Sequence, residues 1–391
     1  MWTKVAWGAA CFAAIMGFSR LAYGVLVPAM RAELGGSYAL YGTIGAANLG
    51  GYLVGTLAAI RLARRTDRSR VNLMALALMC GAMAASGFAH ATLALGLLRV
   101  LVGVGSGVAV TLTLALAVEA VGPTQRGIAA AIIWGGGSLG IALVGAAGIA
   151  PFALAADAWR VQWVAMGALG FACALAFFGV THGRCIVRHD APDDGSPIGL
   201  FRRAGYLPLA LGYFGYGVGY IDVVTFMGAA VRGLHAVPPA ATWIVLGGAG
   251  VAGATLWGKL LDRYRSGVPV AIACACSAFG AAGIASGSVA LVLLGALLVG
   301  VSFIGVPAMV GALLHQRETP ARYGRAFASM TVVLGVAQIV GPIVGGLVAD
   351  RFGTRAAIIV GAAMLAFAAV SSARYRIDTR RPLVTSALNY R

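Results

Sequence analysis

Charged side chains are scarce in this sequence. They account for only 10% of its 391 residues, whereas hydrophobic side chains account for 60%. Because a soluble globular domain is usually about a quarter charged, this composition excludes an ordinary soluble protein. The apolar residues form repeated runs of about 20 residues or more, each long enough to cross a bilayer as a helix. The sequence therefore predicts an all-α membrane protein with many spans.

Cysteine and histidine are also few, with six and five residues. Only Cys185 lies in a polar segment, and the other cysteines fall within apolar runs, which excludes a disulfide framework. No Cys–His spacing matches a metal site, and no glycine-rich nucleotide loop is found. The histidines all lie at the ends of apolar runs or in loops: His90, His182, His189, His235 and His315. We therefore predict no metal, no cofactor and no enzymatic activity.

Twelve apolar runs follow one another along the chain. Their approximate bounds are 5–30, 38–60, 71–89, 92–118, 127–150, 159–180, 205–231, 238–261, 268–287, 289–314, 324–348 and 356–373. The first run is too long for a signal-peptide core and is expected to remain as the first helix. The longest polar interval divides the runs into six and six. We predict an N-terminal six-helix bundle over 1–180, a cytoplasmic linker over 181–204, a C-terminal six-helix bundle over 205–374 and a basic cytoplasmic tail over 375–391.

The net charge of +17 is explained by where the 29 Lys and Arg fall. Most lie in segments on the same side as the N-terminus, and this bias predicts that both termini are cytoplasmic. The basic charge is therefore a topology signal that also attracts anionic lipid headgroups, and nucleic-acid binding is not expected. We expect a multi-pass protein of a bacterial inner membrane.

The two halves carry matching loops. Gly258-x-x-x-Asp262-Arg263 follows the eighth span, and Asp67-Arg68 stands in the corresponding place after the second. Two similar six-helix halves are a known transporter design. The loop element resembles the signature of the major facilitator superfamily, although its first copy lacks the glycine.

Other spans extend this resemblance. Two of them resemble the superfamily's arginine-and-glycine and glycine–proline motifs, Leu98-Arg99-Val-Leu-Val-Gly103-Val-Gly105-Ser-Gly107 and Gly341-Pro342-Ile-Val-Gly345-Gly346. Two others resemble the YbfB/YjiJ-type branch more narrowly, Arg20-Leu-Ala-Tyr23 with Pro28 and Gly219-Tyr220 with Thr225-Phe226. The resemblance implies two six-helix bundles that rock about a central cavity lined by spans 1, 4, 7 and 10.

Arg20 is a cation deep within the first span. It lies about ten residues from the outer end, or about 15 Å at helical rise, and an arginine at a helix centre costs about 3 kcal/mol on insertion scales. Arg99 lies within span 4, so the two guanidiniums can approach one chamber if both spans line the cavity. Of the 12 Asp and Glu, only Asp222 lies deep in a span. This excess of positive charge predicts an anionic substrate held by the two-pronged Arg20 guanidinium.

Other roles for these charges remain open. Arg20 could form a structural ion pair with Asp222 or bond the carbonyls of a broken helix, and Arg99 could serve helix packing or gating. A deep carboxyl such as Asp222 could exchange a proton during the transport cycle, and we assign it to proton coupling.

Tyrosines accompany the charges on span 7. Tyr213, Tyr216 and Tyr220 share one helix face, whereas Asp222 faces roughly the opposite side. Both can line the cavity only if neighbouring glycines let the helix unwind. We predict the following substrate-binding residues: Arg20, Tyr23, Arg99, Tyr216 and Tyr220. Weaker candidates lie elsewhere in the spans: Asn48, Trp134 and Gln338.

The charged loops at the cytoplasmic ends predict a gate. Contacts between them would lock the two halves together, and breaking these contacts would permit rocking; helix capping is the alternative. The residues assigned to this gate are Asp67, Arg68, Gly258, Asp262 and Arg263.

Together these features predict a secondary active transporter, a symporter or antiporter that moves a small organic anion by alternating access with proton coupling. We expect a monomer whose partners are the anion, protons and membrane lipids. Three alternatives remain: a proton-driven exporter of hydrophobic or cationic drugs, a metal-ion carrier, and a transporter-like receptor without flux. In the first, Asp222 would be the key residue and Arg20 only its partner.

Overall fold

The computed structural model describes residues 1–147, 158–182, 205–232, 239–263 and 266–376. Twelve long helical passes follow one another in this part of the chain. They are α1 Trp2–Leu34, α2 Tyr38–Arg65, α3 Arg68–Ser86, α4 Thr92–Val118, α5 Arg126–Ala147, α6 Ala158–Thr181, α7 Tyr206–Val231, α8 Pro239–Arg263, α9 Val268–Ser286, α10 Val289–Arg317, α11 Pro320–Phe352 and α12 Thr354–Ala373. Ten of them are long and apolar enough to cross a membrane, and α2 and α8 complete the twelve. The prediction of an all-α membrane fold is confirmed.

The helices form two packed groups. The buried apolar side chains fall into two clusters, one drawn mainly from α1–α6 and the other mainly from α7–α12. Helix α6 ends at Thr181 and α7 begins at Tyr206, so the greater part of the predicted linker and of the basic tail lies outside the described residues. We call α1–α6 the first half and α7–α12 the second half.

Glycines allow the helices within each half to approach closely. A Cβ atom at Gly103 of α4 would lie 2.0 Å from the carbonyl oxygen of Asn48 on α2, and one at Gly17 of α1 would lie 2.4 Å from the backbone of Gly140 on α5. In a membrane such small-residue contacts supply the packing that the hydrophobic effect cannot supply between helices.

Two of the passes are not regular α-helices. Helix α1 is wound as a π-helix over Ala13–Leu21, between α-helical segments Trp2–Phe12 and Ala22–Leu34. Helix α10 is interrupted at Ile304, between Val289–Phe303 and Gly305–Arg317. Such irregular turns occur often at functional sites, and the hydrophobic pattern of the sequence indicates neither of them.

The two halves contact each other at the end of the bundle opposite the N-terminus, which we call the far end. A Cβ atom at Gly42 of α2 would lie 1.9 Å from the carbonyl oxygen of Pro342 on α11. The Asp350 carboxylate of α11 accepts hydrogen bonds from the backbone N–H groups of Tyr38 and Ala39, at 2.7 and 2.8 Å. It thereby caps the first turn of α2 from the opposite half, and the far end is closed.

Candidate functional site

Arg20 lies in the π-helical segment of α1 and points toward the second half. Its Nη2 donates a hydrogen bond of 2.9 Å to Oε1 of Gln338 on α11. Its guanidinium carbon lies 4.5 Å from the ring centroid of Tyr52 on α2, and its Nη1 lies 3.8 Å from the sulfur of Met16. The partners of this cation are therefore neutral groups from both halves.

A small cavity lies beside Arg20. Its volume is about 20 Å³, which is room for one water molecule but not for an organic anion. Side chains of both halves line it: Arg20, Tyr23 and Asn48 from the first, and Ile221, Thr225 and Pro342 from the second. A larger ligand would fit here only when the halves move apart.

The Arg20 charge has no acidic partner in the part of the chain that the structure describes. The ion pairs found there join Arg68 to Glu119, Arg70 to Asp67 and Arg160 to Glu33. The alternative of a structural ion pair between Arg20 and Asp222 is therefore not what the structure shows.

Asp222 is fully buried in the second half, away from Arg20. A Cβ atom at Gly345 of α11 would lie 2.5 Å from its Oδ1, and one at Gly361 of α12 would lie 3.3 Å from its Cβ. Neither carboxyl oxygen has a hydrogen-bond partner among the described residues. Helix α7 stays α-helical from Tyr206 to Val231, so Asp222 does not share a cavity with the tyrosines.

The tyrosine stripe of α7 faces α10 and the interface. The rings of Tyr216 and Tyr220 stack at 4.9 Å between centroids, and Tyr213 stacks on Tyr216 at 6.2 Å. The Tyr216 hydroxyl donates to the carbonyl oxygen of Phe303 at 2.7 Å, at the interruption of α10. The Tyr220 hydroxyl accepts a hydrogen bond from Gln338 Nε2. Tyr220 therefore belongs to the Arg20 site, whereas the polar group of Tyr216 is used within the second half.

Tyr23 lines the cavity with its ring, but its hydroxyl is engaged elsewhere. The hydroxyl donates to the carbonyl oxygen of Tyr41 on α2 at 2.7 Å. Only the ring of Tyr23 is therefore open to a ligand in this conformation.

The structure does not place Arg99 at the cavity. It is fully buried within the first half, where its Nη2 donates to Ser86 Oγ at 2.9 Å and its Nη1 to the Ser19 carbonyl at 3.3 Å. Its guanidinium carbon lies 4.1 Å from the centroid of a ring of Trp163. The two guanidiniums therefore do not share one chamber in this conformation, because the described partners of Arg99 all belong to the first half. The assignment of Arg99 to substrate binding stays a prediction.

The predicted gate residues Asp67 and Arg68 make their described contacts within the first half. Asp67 caps α3 by accepting from the Ser69 N–H at 2.8 Å, and Arg68 binds both carboxylate oxygens of Glu119, at 3.0 and 2.6 Å. This is the capping alternative. The surroundings of Gly258 and the side chains of Asp262 and Arg263 lie outside the described part of the chain, so the lock between the halves stays a prediction.

Two residues of the site were underestimated or missed from the sequence. Gln338 was only a weak candidate, yet it joins Arg20 to Tyr220. The sequence gives no signal for Tyr52, because its contact with Arg20 joins two helices whose relative rotation the sequence does not give. The only sequence signal for Gln338 is an uncharged polar side chain inside an apolar run, close to the glycine–proline motif.

Comparisons with known proteins agree with this architecture. A sequence-family profile described as "Uncharacterised MFS-type transporter YbfB" matches residues 12–373, while a search of curated proteins found no match. Among solved structures, the nucleoside transporter NupG is similar with a TM-score of 0.76 at 14% identity, over 97% of this chain and 100% of that one.

Two further structures show the same fold. A bacterial homolog of the human lysosomal transporter Spinster, inward-facing and unoccupied, has a TM-score of 0.71 at 16% identity, over 95% of this chain and 96% of that one. The human organic anion transporter MFSD10 (TETRAN) has a TM-score of 0.64 at 16% identity, over 94% and 99%. At these identities the likeness concerns the fold alone. Together with the profile match, it shows that the chain belongs to the YbfB-type family of major facilitator superfamily transporters and is a multi-pass membrane transporter.

Proposed function

We propose that the protein is a proton-coupled secondary transporter that moves a small organic anion across a bacterial inner membrane by alternating access. The observation that carries this proposal is the Arg20 guanidinium, which faces the interface between the halves and has only neutral partners among the described residues. Because an unpaired cation at this depth is costly, an anion that binds there gains the energy of a charge-assisted hydrogen bond.

The surroundings of Arg20 favour an anion over a cation. The described side chains at the cavity include no carboxylate, whereas a cation exporter needs an acidic group near its substrate. The deep acid that could serve this purpose, Asp222, lies between α7, α11 and α12 instead. The proposal of a drug-cation exporter is therefore the weaker one.

Asp222 supports the proton-coupling part of the proposal. A charged carboxylate without partners in a buried apolar site is unfavourable, so a group in this position gains from binding a proton. Small-residue contacts with Gly345 and Gly361 place it where a shift of α11 or α12 would change its surroundings. We propose that this shift accompanies the alternation of access.

The anion site is tested by ligand-induced thermal stabilisation of the purified protein. Benzoate, succinate, inorganic phosphate and sulfate serve as anionic probes, and tetraphenylphosphonium serves as the cationic one. Arg20→Lys keeps the charge but removes the two-pronged geometry, so the affinity for the stabilising anion should fall about tenfold or more, as expected for one charged hydrogen bond. Arg31→Lys, at the far end of the same helix, is the control and should bind as the wild type does. Equal stabilisation of the wild type and the Arg20 variant, or stabilisation by the cation alone, would refute the anion site.

Proton coupling is tested separately in proteoliposomes with the anion identified in that screen. Asp222→Asn should abolish accumulation driven by a pH gradient while anion exchange continues, because exchange needs no net proton movement. Glu33→Gln removes a carboxylate that pairs with Arg160 within the first half and should leave both activities unchanged. Gradient-driven accumulation by the Asp222 variant at the wild-type rate would exclude this residue as the proton carrier.

A further inference from the structure

Gln338 of the second half bonds Arg20 of the first half and so links the two halves at the Arg20 site. We infer that its side-chain amide occupies the place of the substrate anion on Arg20, and that a carboxylate binds by displacing it. This inference rests on the proposed function and adds to it a ligand class and a residue that couples occupancy to movement of the halves.

The geometry of the amide supports a stand-in role. Gln338 is buried, with 3% of its surface exposed. Its Oε1 accepts from Arg20 Nη2 at 2.9 Å, and its Nε2 donates to the Tyr220 hydroxyl. The amide is planar and its oxygen sits where one oxygen of a carboxylate would sit. Because a charged acceptor binds an arginine more strongly than a neutral one does, a carboxylate can replace this oxygen.

The Tyr52 ring restricts how the replacement can approach. Its centroid lies 4.5 Å from the guanidinium carbon of Arg20, so the ring occupies the space on one side of that group. A ligand therefore approaches the guanidinium N–H groups from another side. The group to be replaced is the planar amide of Gln338. A carboxylate is also planar, whereas phosphate and sulfate are tetrahedral, so we expect the site to take carboxylates in preference to tetrahedral anions.

The chemistry of glutamine fits a bond that is made and broken repeatedly. Glutamate at this position would neutralise Arg20 permanently and leave no charge for a substrate. An apolar residue would leave a guanidinium N–H without a partner, which is costly in a buried site. A neutral amide satisfies the donor when no anion is bound, and it yields to a stronger acceptor.

Displacing Gln338 also loosens the contact between the halves. Arg20 belongs to α1, whereas Gln338 belongs to α11, one helical turn before Pro342. The Pro342 carbonyl is in turn packed against Gly42 of α2 at the closed far end. Breaking the Arg20–Gln338 bond therefore removes a link between the halves one helical turn from the contact of Pro342 with Gly42, and we infer that binding of the carboxylate favours opening of the far end.

Two variants of Gln338 distinguish an amide that the anion displaces from an amide that binds the anion directly. Gln338→Met keeps the length of the side chain but offers Arg20 only a weak sulfur acceptor in place of the amide oxygen. It should bind succinate or benzoate several-fold more tightly than the wild type and should open the far end in the absence of ligand. Gln338→Glu supplies a permanent carboxylate, so it should bind these probes at least tenfold more weakly and keep the far end closed whether or not they are added.

Closure of the far end is measured as the distance between two spin labels by double electron–electron resonance. Spin labels at Leu40→Cys on α2 and Leu347→Cys on α11 occupy exposed positions at that end, in a background without the six native cysteines. Affinity is measured by calorimetry on the same preparations. Gln162→Met changes another buried glutamine, within the first half, and is the control that should alter neither quantity. If Gln338→Met fails to fold, Gln338→Ala replaces it.

The outcomes distinguish this inference from the proposed function. Weaker carboxylate binding by Gln338→Met would show that the amide is a ligand contact and overturn the stand-in role. Identical distances in the glutamate and methionine variants would overturn the link between halves. If no anionic probe binds the wild type, the proposed anion transport fails, whereas the distances in the two ligand-free variants still report whether Gln338 joins the halves. Tighter binding of phosphate or sulfate than of succinate would overturn the preference for carboxylates.

Discussion

Arg20 and Arg99 are two arginines within apolar spans that lie in very different surroundings, since Arg20 is half-buried and Arg99 is fully buried. The described partners of Arg99, which are Ser19, Ser86 and Trp163, all belong to its own half. Arg20 instead donates across the interface to Gln338. A cation whose bonds lie within one bundle stabilises that bundle, whereas under the proposed alternating access a cation that bonds across the interface exchanges its partner for a ligand.

Close glycine contacts also differ in whether they lie within one half or join the two halves. Gly103 packs on Asn48 within the first half, and Gly42 packs on Pro342 across the interface, with nearly the same clearance. The local geometry is alike, but only the second contact can be relieved by moving the halves apart. The energetic consequence of a contact therefore depends on which bodies it joins.

The largest expected effect follows from removing Arg99. Arg99→Ala deletes two buried hydrogen bonds and leaves an empty volume beside Trp163, so the free energy of unfolding should fall by about 3 kcal/mol. Thermal unfolding of the purified protein measures this loss. Arg351→Ala also removes an arginine that lies near an aromatic ring, that of Phe352, but at an exposed position, and it should change the stability by less than about 0.5 kcal/mol. An Arg99 variant with wild-type stability and no anion binding would reverse the roles of the two arginines.

A smaller effect is expected from enlarging the two glycines. Gly103→Ala would place a methyl group 2.0 Å from the Asn48 carbonyl oxygen, and such overpacking should cost about 2 kcal/mol of unfolding free energy. Gly42→Ala would place a methyl group 1.9 Å from the Pro342 carbonyl oxygen, but the halves can separate to relieve it. Its unfolding free energy should fall by less than about 1 kcal/mol.

The order of the two glycine variants is reversed for conformation: Gly42→Ala, the less destabilising change, should alter the far end more than Gly103→Ala does. Gly42→Ala should lengthen the distance between spin labels at positions 40 and 347, and Gly103→Ala should leave that distance unchanged. Equal destabilisation of both variants, with no change in distance, would mean that the far end is as rigid as the interior of a half.

The smallest effect concerns two aspartates that cap helices. Asp350 caps α2 from the opposite half, whereas Asp67 caps α3 of its own half. Replacing an acidic cap by alanine costs about 1 kcal/mol. For Asp350→Ala this cost should appear as an opening of the far end in the same distance measurement. For Asp67→Ala it should appear as lower thermal stability with an unchanged distance, and the reverse pattern would contradict the assignment of these caps.

Helix bounds were the most predictable feature of this sequence. The fourth span was expected at 92–118 and is found at Thr92–Val118, because a bilayer demands a continuous apolar run and polar residues end it. The depth of Arg20 was predictable for the same reason. Depth alone did not reveal that Arg99 faces the interior of the first half, because rotation about the helix axis is set by packing against neighbours.

The contacts between the halves were the least predictable. Gln338 lies 318 residues from Arg20, and nothing local in either segment indicates that they meet. The unwinding considered for α7 is found instead as a π-helical stretch in α1 and an interruption in α10. Glycines mark where helices can come close, but they do not tell whether a helix bends there or only packs.

The change of winding within α1 has a consequence for how one helix can serve two neighbours. Before and within the π-helical stretch, Ala9 and Ala13 lie against Gly136 and Gly140 of α5, whereas beyond it Gly24 lies against Val224 of α7. A uniform helix would carry one periodic pattern of small side chains along its whole length. The wider turns of the π-helical stretch change that phase, so the segment before Leu21 keeps its register with α5 of its own half. The segment after it presents a separately phased surface to α7 of the second half, the neighbour that moves under the proposed alternating access.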